Sequence, residues 1–331
     1  MTRWISDRAL DRLRQAALEP DLSGTKYRLL GQLGQGGVGA IFRAQDIQLS
    51  REVALKVIRV PDADGQLAER LIREARVIAQ LEHPGIVPVH DVGTLPDGRV
   101  FYTMKLVQGK RLDEYVISLA SLPESLRLFG KVCEAISFAH AHGVLHRDLK
   151  PQNVMVGPFG EVLVMDWGLS KIVSALPLTV MKPSETSAVP GPSQAETASG
   201  TAHGSVIGTP GYMSPEQERG DLAAVDQRSD VYSLGAVLHF LADAASHHAP
   251  PPRSLMAIVG KAMAGDPAAR YPSVHDLGQD VANYLDGLPV LAYPESILSR
   301  AVRWAGRNQA WLWLVLAYIV MRAALILWRP R

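Results

Sequence analysis

Cysteine is nearly absent from this sequence of 331 residues, in which Cys133 is the single example. An intramolecular disulfide is therefore excluded, and the composition is typical of a reducing compartment. An excess of charge of one sign is also missing, because 34 basic and 33 acidic side chains leave a formal net charge of +1. Without a strong overall field, and without a nucleic-acid-binding motif, we expect no nucleic-acid partner.

The N-terminus lacks the apolar segment of a secretory signal, since MTRWISDRALDRL carries charges along its whole length. We therefore expect the first domain to remain in the cytoplasm. A hydrophobic content of 47% is normal for globular protein, and the length allows one large or two ordinary domains. Residues 6–18 have the spacing of a short amphipathic helix, which predicts an N-terminal helical extension over residues 1–26.

The order of the predicted elements places a small strand-rich lobe before a larger helical one, which is an α+β arrangement. Short apolar runs broken by glycine fill residues 27–60 and predict three antiparallel strands. Residues 171–205 are poor in large apolar groups, so a mobile loop is expected there. Helical spacing of apolar residues occurs at 66–81, 125–142, 230–242, 254–264 and 273–285.

Three glycines, Gly34, Gly36 and Gly39, form the pattern G-x-G-x-x-G. Their missing side chains let backbone N–H groups approach a phosphate closely. A Rossmann dinucleotide site would need a helix to begin at the glycines, whereas AIFRA alternates as a strand and VALK follows as another. The Rossmann interpretation is therefore disfavoured, and an ordinary glycine-rich hairpin stays open on local grounds.

The strongest signal in the sequence is the segment HRDLKPQN, which ends at Asn153. It reproduces the catalytic-loop motif of protein kinases without a gap. Lys56 in VALK and Glu74 in the next helical segment precede it, and Asp166 follows it, in the order that a kinase requires. With these motifs the sequence resembles the eukaryotic-like protein kinases over residues 27–286. DWGLSK and GTPGYMSPEQ resemble the serine/threonine kinases of bacteria, in particular planctomycete and myxobacterial ones.

This resemblance implies a bilobal protein-kinase-like fold and the transfer of phosphate from ATP to serine or threonine in proteins, including the enzyme's own activation loop. It also implies protein substrates as partners, and a homodimer for autophosphorylation in trans. The expected parts are an N-lobe at 27–107, a C-lobe at 108–286, an activation segment at 166–216, a linker at 287–309 and an apolar helix at 310–328.

By the same resemblance, Asp148 is the catalytic base that accepts the proton of the substrate hydroxyl. Lys150 offsets charge on the γ-phosphate. Asn153 and Asp166 are the expected ligands of Mg²⁺, which prefers such hard oxygen atoms, with Mn²⁺ as a substitute. Lys150 and Thr209 also favour serine and threonine over tyrosine as acceptors, because tyrosine kinases differ at both places.

The resemblance further places ATP between the glycine-rich loop and the hinge. Lys56, paired with Glu74, is expected to hold the α- and β-phosphates. The hinge is Lys105 to Val107, which follows the gatekeeper Met104. The other residues expected to bind ATP are Leu33, Gly34, Gln35, Gly36, Gly37, Val38, Gly39, Ala40, Ile41 and Ala54.

Some positions depart from the family pattern. Trp167 stands where the family more often has phenylalanine, and SPE replaces the usual APE at Glu216. Both motifs keep their acidic residue, which is Asp166 in the first and Glu216 in the second. Asp230 resembles the buried acid that braces the catalytic loop, and Arg270 resembles the partner of Glu216. Between Asp230 and Arg270 the family usually has an extra helix and loop, which are replaced here by LADAASHHAPPPRSL, and this shortening puts the choice of substrate in doubt.

The C-terminal segment from Ala310 to Trp328 is apolar apart from Arg322. As a helix it would extend roughly 28 Å at ~1.5 Å per residue, close to the ~30 Å thickness of a hydrocarbon core. We therefore predict a single-pass membrane protein with a cytoplasmic kinase domain and no sensor domain after the span. A buried or surface-lying amphipathic helix on a cytoplasmic protein is the alternative.

Two other functions compete with protein phosphorylation. A membrane-tethered pseudokinase scaffold would bind nucleotide without turnover, but none of the lysine, base and metal acid is missing. A kinase of small metabolites would share the fold, but the long activation segment of the protein-kinase type disfavours it.

Overall fold

The computed structural model describes residues 19–35, 39–58, 65–118, 121–167, 171–172, 211–221, 223–245, 250–293, 313–315 and 317–322. The predicted helix at residues 6–18, the loop residues Gly36, Gly37 and Val38, and most of the activation segment lie outside these ranges.

The N-lobe is a five-stranded antiparallel sheet with the strand order β1-β2-β3-β5-β4. The prediction of three strands at its start is confirmed. The helix α1, Gln66–Ala79, packs on one face of the sheet with Leu71, Ala75 and Ile78 buried. The strands are β1 Tyr27–Gln35, β2 Gly39–Asp46, β3 Arg51–Ile58, β4 Val89–Thr94 and β5 Val100–Lys105.

The alternation of side chains along β3 determines what each face of the sheet carries. Val53, Leu55 and Val57 lie in the core on the far side of the sheet from α1. Ala54 and Ile58 pack in the core that includes α1. Because a strand turns every second residue to the same face, Lys56 shares the face of Ala54 and Ile58. The lysine therefore points toward the helix that carries Glu74.

The C-lobe is mainly helical. Its helices are α2 Leu112–Tyr115, α3 Leu122–Ala141, α4 Pro215–Glu218, α5 Gln227–Ala244, α6 Arg253–Ala262 and α7 Val274–Leu285. Short 3₁₀ helices occupy Val116–Ser118, Pro151–Asn153 and Pro267–Ala269. Two small sheets add β6 Lys110–Arg111, β8 Val154–Val156 and β9 Val162–Val164, and β7 Val144–Leu145 with β10 Lys171–Ile172.

The helix boundaries differ slightly from those that the periodicity predicts. Helix α3 begins at Leu122 rather than near Ser125. It has a proline in its first turn, where a backbone N–H would have no partner within the helix. Helix α5 begins at Gln227 because the Asp226 side chain caps it, accepting the N–H of Arg228 at 2.7 Å.

Helix α3 lies at the centre of the C-lobe, and Leu126, Phe129, Cys133 and Ile136 on one of its faces are buried. This face reaches α7 so closely that a Cβ atom at Gly278 would lie 3.1 Å from the Cβ of Cys133. The glycine therefore permits the close packing of these two helices.

The packing of the C-lobe continues beyond residue 286, which is the boundary that the resemblance implies. Val290 is buried, and the carboxylate of Asp280 accepts the backbone N–H groups of Leu291 and Ala292 at 2.6 and 3.0 Å. The hydroxyl of Tyr271 donates to the same carboxylate at 2.6 Å. These contacts hold the segment that leaves the lobe.

Within the described part of the chain, no helix combines the length and the hydrophobicity needed to cross a membrane. Most of the predicted span at 310–328 lies outside that part. The described pieces of it, residues 313–315 and 317–322, are helical, and their large apolar side chains are exposed.

Candidate active site

A lysine from the sheet and two acids from opposite sides of the cleft meet at one point. The Nζ atom of Lys56 lies 2.7 Å from Oε1 of Glu74 and 3.2 Å from Oδ1 of Asp166. Burial by itself would lower the pKa of Lys56, but its neighbours Tyr102, Glu74 and Asp166 outweigh that effect and raise it. The lysine is therefore a fixed positive charge at the junction of the lobes.

Tyr102 is a member of this cluster that the sequence motifs did not identify. Its hydroxyl donates a hydrogen bond to Oε1 of Glu74 at 2.7 Å. The signal that could have found it is the alternation of β5, which places Tyr102 and Met104 on the same face.

Asp166 is the acid of the cluster that remains open to the cleft, with a side chain 54% exposed. Burial acts to raise its pKa, but the charge and the hydrogen bond of Lys56, with His146 and Lys150, lower it overall. Its backbone adopts a positive φ of 57°, which is uncommon for a residue with a side chain. The next residue, Trp167, is fully buried with its ring 4.7 Å from that of His146, so the tryptophan anchors this strained turn.

The catalytic loop holds Asp148 beside a cation and an amide. Lys150 Nζ donates to Oδ2 of Asp148 at 2.8 Å. The amide nitrogen of Asn153 donates to the same oxygen at 3.1 Å and to the backbone oxygen of Asp148 at 2.7 Å. These three residues, predicted together from HRDLKPQN, therefore form one hydrogen-bonded unit.

The buried carboxylate of Asp230 holds the backbone of this loop, as the sequence predicts. It accepts the backbone N–H groups of His146 and Arg147 at 2.9 and 2.8 Å and contacts Nε2 of His140 at 2.8 Å. Burial acts to raise the pKa of Asp230, but the hydrogen bond and charge of His140, with His146 and the Arg147 amide, lower it. The bonds also hold Arg147 at a positive φ of 71°, beside Asp148.

The segment that follows the activation loop is tied to the catalytic loop by Gln217. Its side-chain nitrogen donates to the backbone oxygen of Arg147 at 2.8 Å, while its oxygen accepts the N–H of Ser214 at 3.0 Å. The sequence motifs did not identify Gln217 as a contact. Its local signal is the capping box that Ser214 and Gln217 form at the start of α4.

The neighbouring Glu216 makes the predicted ion pair with Arg270. Two charge-assisted hydrogen bonds, at 2.7 and 2.9 Å, join the guanidinium to the carboxylate, and the hydroxyl of Ser229 adds a third at 2.7 Å. Burial acts to raise the pKa of Glu216, but these hydrogen bonds lower it to about 2.

The predicted glycine-rich loop is described only at its two sides. Gly34 and Gln35 pair across the hairpin with Ile41 and Ala40. A Cβ atom at Gly39 would lie 2.6 Å from the backbone oxygen of Val57, so only glycine fits there. Leu33 is 51% exposed near the tip of the hairpin.

At the hinge, Ala54 pairs with Met104, and the N–H of Lys105 donates to the Pro88 oxygen at 3.0 Å. Val107 lies just beyond and packs against the core. Ala54 of β3 therefore lies opposite Met104, and Lys56 lies opposite Tyr102.

The donor atoms suit a hard divalent cation. Asp166 supplies an exposed carboxylate. The amide nitrogen of Asn153 makes the hydrogen bonds to Asp148, and its amide oxygen can serve as a ligand. Oxygen ligands of this kind fit Mg²⁺, which retains further positions for phosphate and water. The predicted metal site consists of Asp166 and Asn153. Among the described residues, no group of three or more His, Cys, Asp or Glu residues is arranged to hold a metal ion.

Comparisons with known proteins agree with this arrangement. The crystal structure of the Mycobacterium tuberculosis PknI kinase domain is similar, with a TM-score of 0.55 and 26% identity, covering 80% of this chain and 96% of that one. Serine/threonine-protein kinase PknD of Chlamydia felis is 34% identical over 313 residues, or 82% of this chain and 32% of the relative. PknD of Chlamydia trachomatis serovar D is 33% identical over 83% of this chain and 33% of the relative.

The chain thus spans about a third of the length of these curated relatives. The protein kinase domain family matches residues 27–250, which include both lobes of the cleft and the catalytic loop. The order of the motifs, the geometry of the cleft and this match agree, and the chain belongs to the protein kinase domain family.

Proposed function

We propose that this protein transfers phosphate from ATP to serine and threonine residues of proteins in a bacterial signalling pathway. The observation that carries the proposal is the pair of contacts that Lys56 Nζ makes, to Glu74 at 2.7 Å and to Asp166 at 3.2 Å. Together these contacts assemble groups from the sheet, from α1 and from the C-lobe, as a phosphate-positioning site requires. The proposal includes a similarity to planctomycete and myxobacterial kinases in particular, which Trp167 in the DWG motif indicates.

Magnesium-bound ATP would supply the phosphoryl group, and the residues of this chain would position it and the acceptor. Asp148 serves as the base that accepts the proton of the acceptor hydroxyl. Lys150, 2.8 Å from Asp148, keeps that carboxylate oriented and contributes positive charge where negative charge accumulates. Asn153 and Asp166 would provide the oxygen ligands for the metal, and Lys56 would bind phosphate oxygens.

The test is phosphate transfer from radiolabelled ATP by the purified protein with magnesium, to itself and to a general acceptor protein. Asp148→Asn is the matched control, because it keeps the shape of the side chain, replaces one acceptor oxygen by an NH₂ group and removes the basicity. Phosphoserine or phosphothreonine formed by the wild type alone supports the proposal. Equal labelling by both proteins, or none by either, contradicts it.

The same experiment separates this function from a pseudokinase scaffold. A scaffold would bind ATP, measurable by a shift of the thermal unfolding midpoint with nucleotide, yet transfer nothing. The complete set of Lys56, Asp148, Asn153 and Asp166 within one cleft favours turnover over binding alone.

We further propose that phosphate on the activation segment activates the enzyme. Arg147 directly precedes Asp148, and in the kinases that this chain resembles an arginine at this place binds a phosphate of the activation segment through strong charge-assisted hydrogen bonds. Candidate acceptors are Thr179, Ser184, Thr186, Ser187, Thr201 and Ser205, which lie outside the described residues, with Thr201 and Ser205 as first choices.

Transfer between two copies would explain how this segment reaches an active site, and a transient homodimer is therefore part of the proposal. Mass spectrometry of protein prepared with ATP, compared with Asp148→Asn, tests it. Phosphate within residues 171–209 of the wild type, and a gain in activity on incubation with ATP, are expected. A fully active enzyme with no phosphate in this segment contradicts the mechanism.

We also propose that residues 310–328 attach the protein to a membrane, with the kinase domain on the cytoplasmic side where ATP is present. The support is the apolar sequence and the exposure of its described side chains, such as Trp313 at 68% and Ile319 at 56%. A helix that is apolar on every side gains by contact with lipid.

A further inference from the structure

The carboxylate of Glu74 accepts two hydrogen bonds at one oxygen. Lys56 Nζ and the hydroxyl of Tyr102 each lie 2.7 Å from Oε1 of Glu74. A carboxylate oxygen has two lone pairs, so both donors can bind it at the same time. The three side chains come from β3, β5 and α1, and both Tyr102 and Glu74 are buried. Helix α1 is therefore tied to the sheet by two contacts, of which the ion pair with Lys56 is one.

The pairing of β3 with β5 brings the lysine and the tyrosine to this oxygen. Lys56 lies directly opposite Tyr102 in the antiparallel register. Opposite residues of neighbouring strands point to the same face of a sheet. Nζ of Lys56 lies 5.8 Å from the centre of the Tyr102 ring, close enough for a cation–π interaction. The ring thus lies beside the ammonium group, while the hydroxyl at its end contacts Glu74.

The two donors differ in what else they bind. Lys56 also contacts Asp166 at 3.2 Å, and in the proposed reaction it binds phosphate oxygens as well. Phosphate therefore competes with Glu74 for the protons of the ammonium group. The hydroxyl of Tyr102 has one proton, and burial holds its pKa well above the ordinary value of 10, so this proton stays available to Glu74. The tyrosine can hold Glu74 while the lysine is engaged with phosphate.

The burial of the Tyr102 hydroxyl makes its contact with Glu74 important for the position of α1. A hydroxyl on a side chain that is 2% exposed costs free energy unless it is hydrogen-bonded. Tyr102 belongs to the core that contains Leu71 and Ile78 of α1. Outward movement of α1 would take the acceptor away from the hydroxyl and both donors away from Glu74. The tyrosine therefore favours the position of α1 in which Glu74 faces Lys56.

We propose that Tyr102 is a positioning residue of the kinase, whose hydroxyl holds Glu74 and helix α1 in place so that Lys56 stays oriented toward the phosphates of ATP. The tyrosine acts through Glu74 and not through a contact with the nucleotide. The inference rests on the proposed kinase activity and adds a residue that none of the sequence motifs specifies. The position of α1 then depends on this hydroxyl even before ATP binds.

Tyr102→Phe tests the proposal, because it removes the hydroxyl and keeps the ring. Tyr271→Phe is the matched control. The hydroxyl of Tyr271 also donates to a buried carboxylate, that of Asp280 at 2.6 Å, and Tyr271 is 0% exposed within the C-lobe. Both variants lose one buried hydrogen bond to a carboxylate, but only Tyr102 contacts Glu74. Circular dichroism confirms that each variant is folded.

Steady-state kinetics separate positioning from a general loss of stability. We expect Tyr102→Phe to lower kcat/KM for ATP by about tenfold, as for one hydrogen bond to a charged group, and to leave the KM for the acceptor protein unchanged. Tyr271→Phe should remain within about twofold of the wild type in both quantities, because it is independent of the cleft. In a Glu74→Met background the hydroxyl has no acceptor. There, Tyr102→Phe should change the affinity for magnesium-bound ATP, measured by calorimetry, by less than about twofold.

Amide hydrogen exchange reports on the stability of α1 directly. Without nucleotide, residues 66–79 should exchange at least about threefold faster in Tyr102→Phe than in the wild type, because the tie to the sheet is weaker. Tyr271→Phe should leave the exchange of α1 unchanged. If Tyr102→Phe does not fold, two variants of Glu74 replace it: Glu74→Gln keeps an acceptor oxygen for the hydroxyl, whereas Glu74→Met has none. Faster exchange of α1 is then expected in Glu74→Met.

Each outcome supports or overturns the role of Tyr102. The proposal is overturned if Tyr102→Phe keeps kcat/KM for ATP within about twofold of the wild type, or if the exchange of α1 is unchanged. Equal losses in Tyr102→Phe and Tyr271→Phe also overturn it, as do an undiminished effect in the Glu74→Met background and equal exchange in Glu74→Gln and Glu74→Met.

Failure of the kinase function itself gives a different result. If the wild type transfers no phosphate, that function is refuted, and the affinity for ATP together with the exchange of α1 still decides the role of Tyr102. A decrease in affinity and faster exchange in Tyr102→Phe, but not in Tyr271→Phe, support the tie between the tyrosine and α1. Unchanged affinity and exchange refute it.

Discussion

The ion pair between Glu216 and Arg270 joins the end of the activation segment to the core of the C-lobe. The two side chains are 1% and 0% exposed. Arg270 makes three further hydrogen bonds, to the backbone oxygens of Ala264, Arg228 and Gly265 at 2.8, 3.0 and 3.3 Å. Replacing Arg270 by methionine keeps much of the volume and removes every one of these bonds.

The expected loss of stability follows from the burial of the remaining charge. Removing one partner of a buried ion pair costs about 3–5 kcal/mol, because the other charge is left without compensation. That is a large fraction of the roughly 5–15 kcal/mol that stabilises a typical domain. In the double variant Arg270→Met, Glu216→Gln the buried charge is gone, and we expect it to recover at least half of the loss.

The pH dependence has a definite sign. The pKa of Glu216 is lowered in the folded protein from 4.5 to about 2, so the stabilisation is fully present above about pH 4.5. It is lost as the pH falls toward 2 and the carboxylate is protonated. The difference in stability between the wild type and Arg270→Met should therefore be greatest near neutral pH and shrink as the pH falls, because without Arg270 burial raises the pKa of Glu216 and the variant takes up the proton first.

Urea unfolding followed by tryptophan fluorescence and circular dichroism measures these differences. Phosphotransfer should fall as well, because Gln217 of the same short helix α4 supports the backbone of Arg147. The reasoning would be refuted if Arg270→Met lowered the free energy of unfolding by less than about 1 kcal/mol at pH 7, because a buried uncompensated charge destabilises by more than that. A double variant as unstable as the single one would refute it as well.

Three further predictions concern the cleft and the C-terminal segment. Lys56→Met should lower phosphotransfer by on the order of 10²-fold or more in a protein that still folds. Its unfolding midpoint should also fall, because the buried Glu74 keeps the hydrogen bond from Tyr102 but loses its cation; retention of more than about a hundredth of the activity contradicts the role of Lys56. Gly39→Val should raise the KM for ATP, because the Cβ of the new valine would lie 2.6 Å from the backbone oxygen of Val57 and displace the hairpin. An unchanged KM would show that the hairpin does not contact the nucleotide. Truncation after Tyr293, which keeps the contacts of Asp280, should release the protein from membranes on fractionation, whereas full-length protein that is soluble without detergent would be incompatible with an anchor.

Local features of the sequence were enough for the chemistry and for most of the elements. HRDLKPQN places Asp148, Lys150 and Asn153 within a few residues, and the structure joins them by hydrogen bonds at 2.8 and 3.1 Å. The strands of the N-lobe and the buried stripe of α3 follow from periods of two and 3.6 residues, which neighbouring positions determine without reference to the rest of the chain. The ends of α3 and α5 were less certain, because caps and prolines shift them by a few positions.

The resemblance to a family predicted some pairs of distant residues, such as Lys56 with Glu74, whereas other contacts were decided by the tertiary structure. Lys56 and Asp166 are 110 positions apart, and their 3.2 Å contact depends on how the two lobes are joined. Tyr102 carries no motif of its own, and the motif that contains Gln217 does not indicate its contact with Arg147, since each residue acquires its role from a neighbour brought close by packing. Periodicity and motifs specify which face of an element is apolar and which residues are reactive, whereas the partner that each face meets depends on the packing of the whole domain.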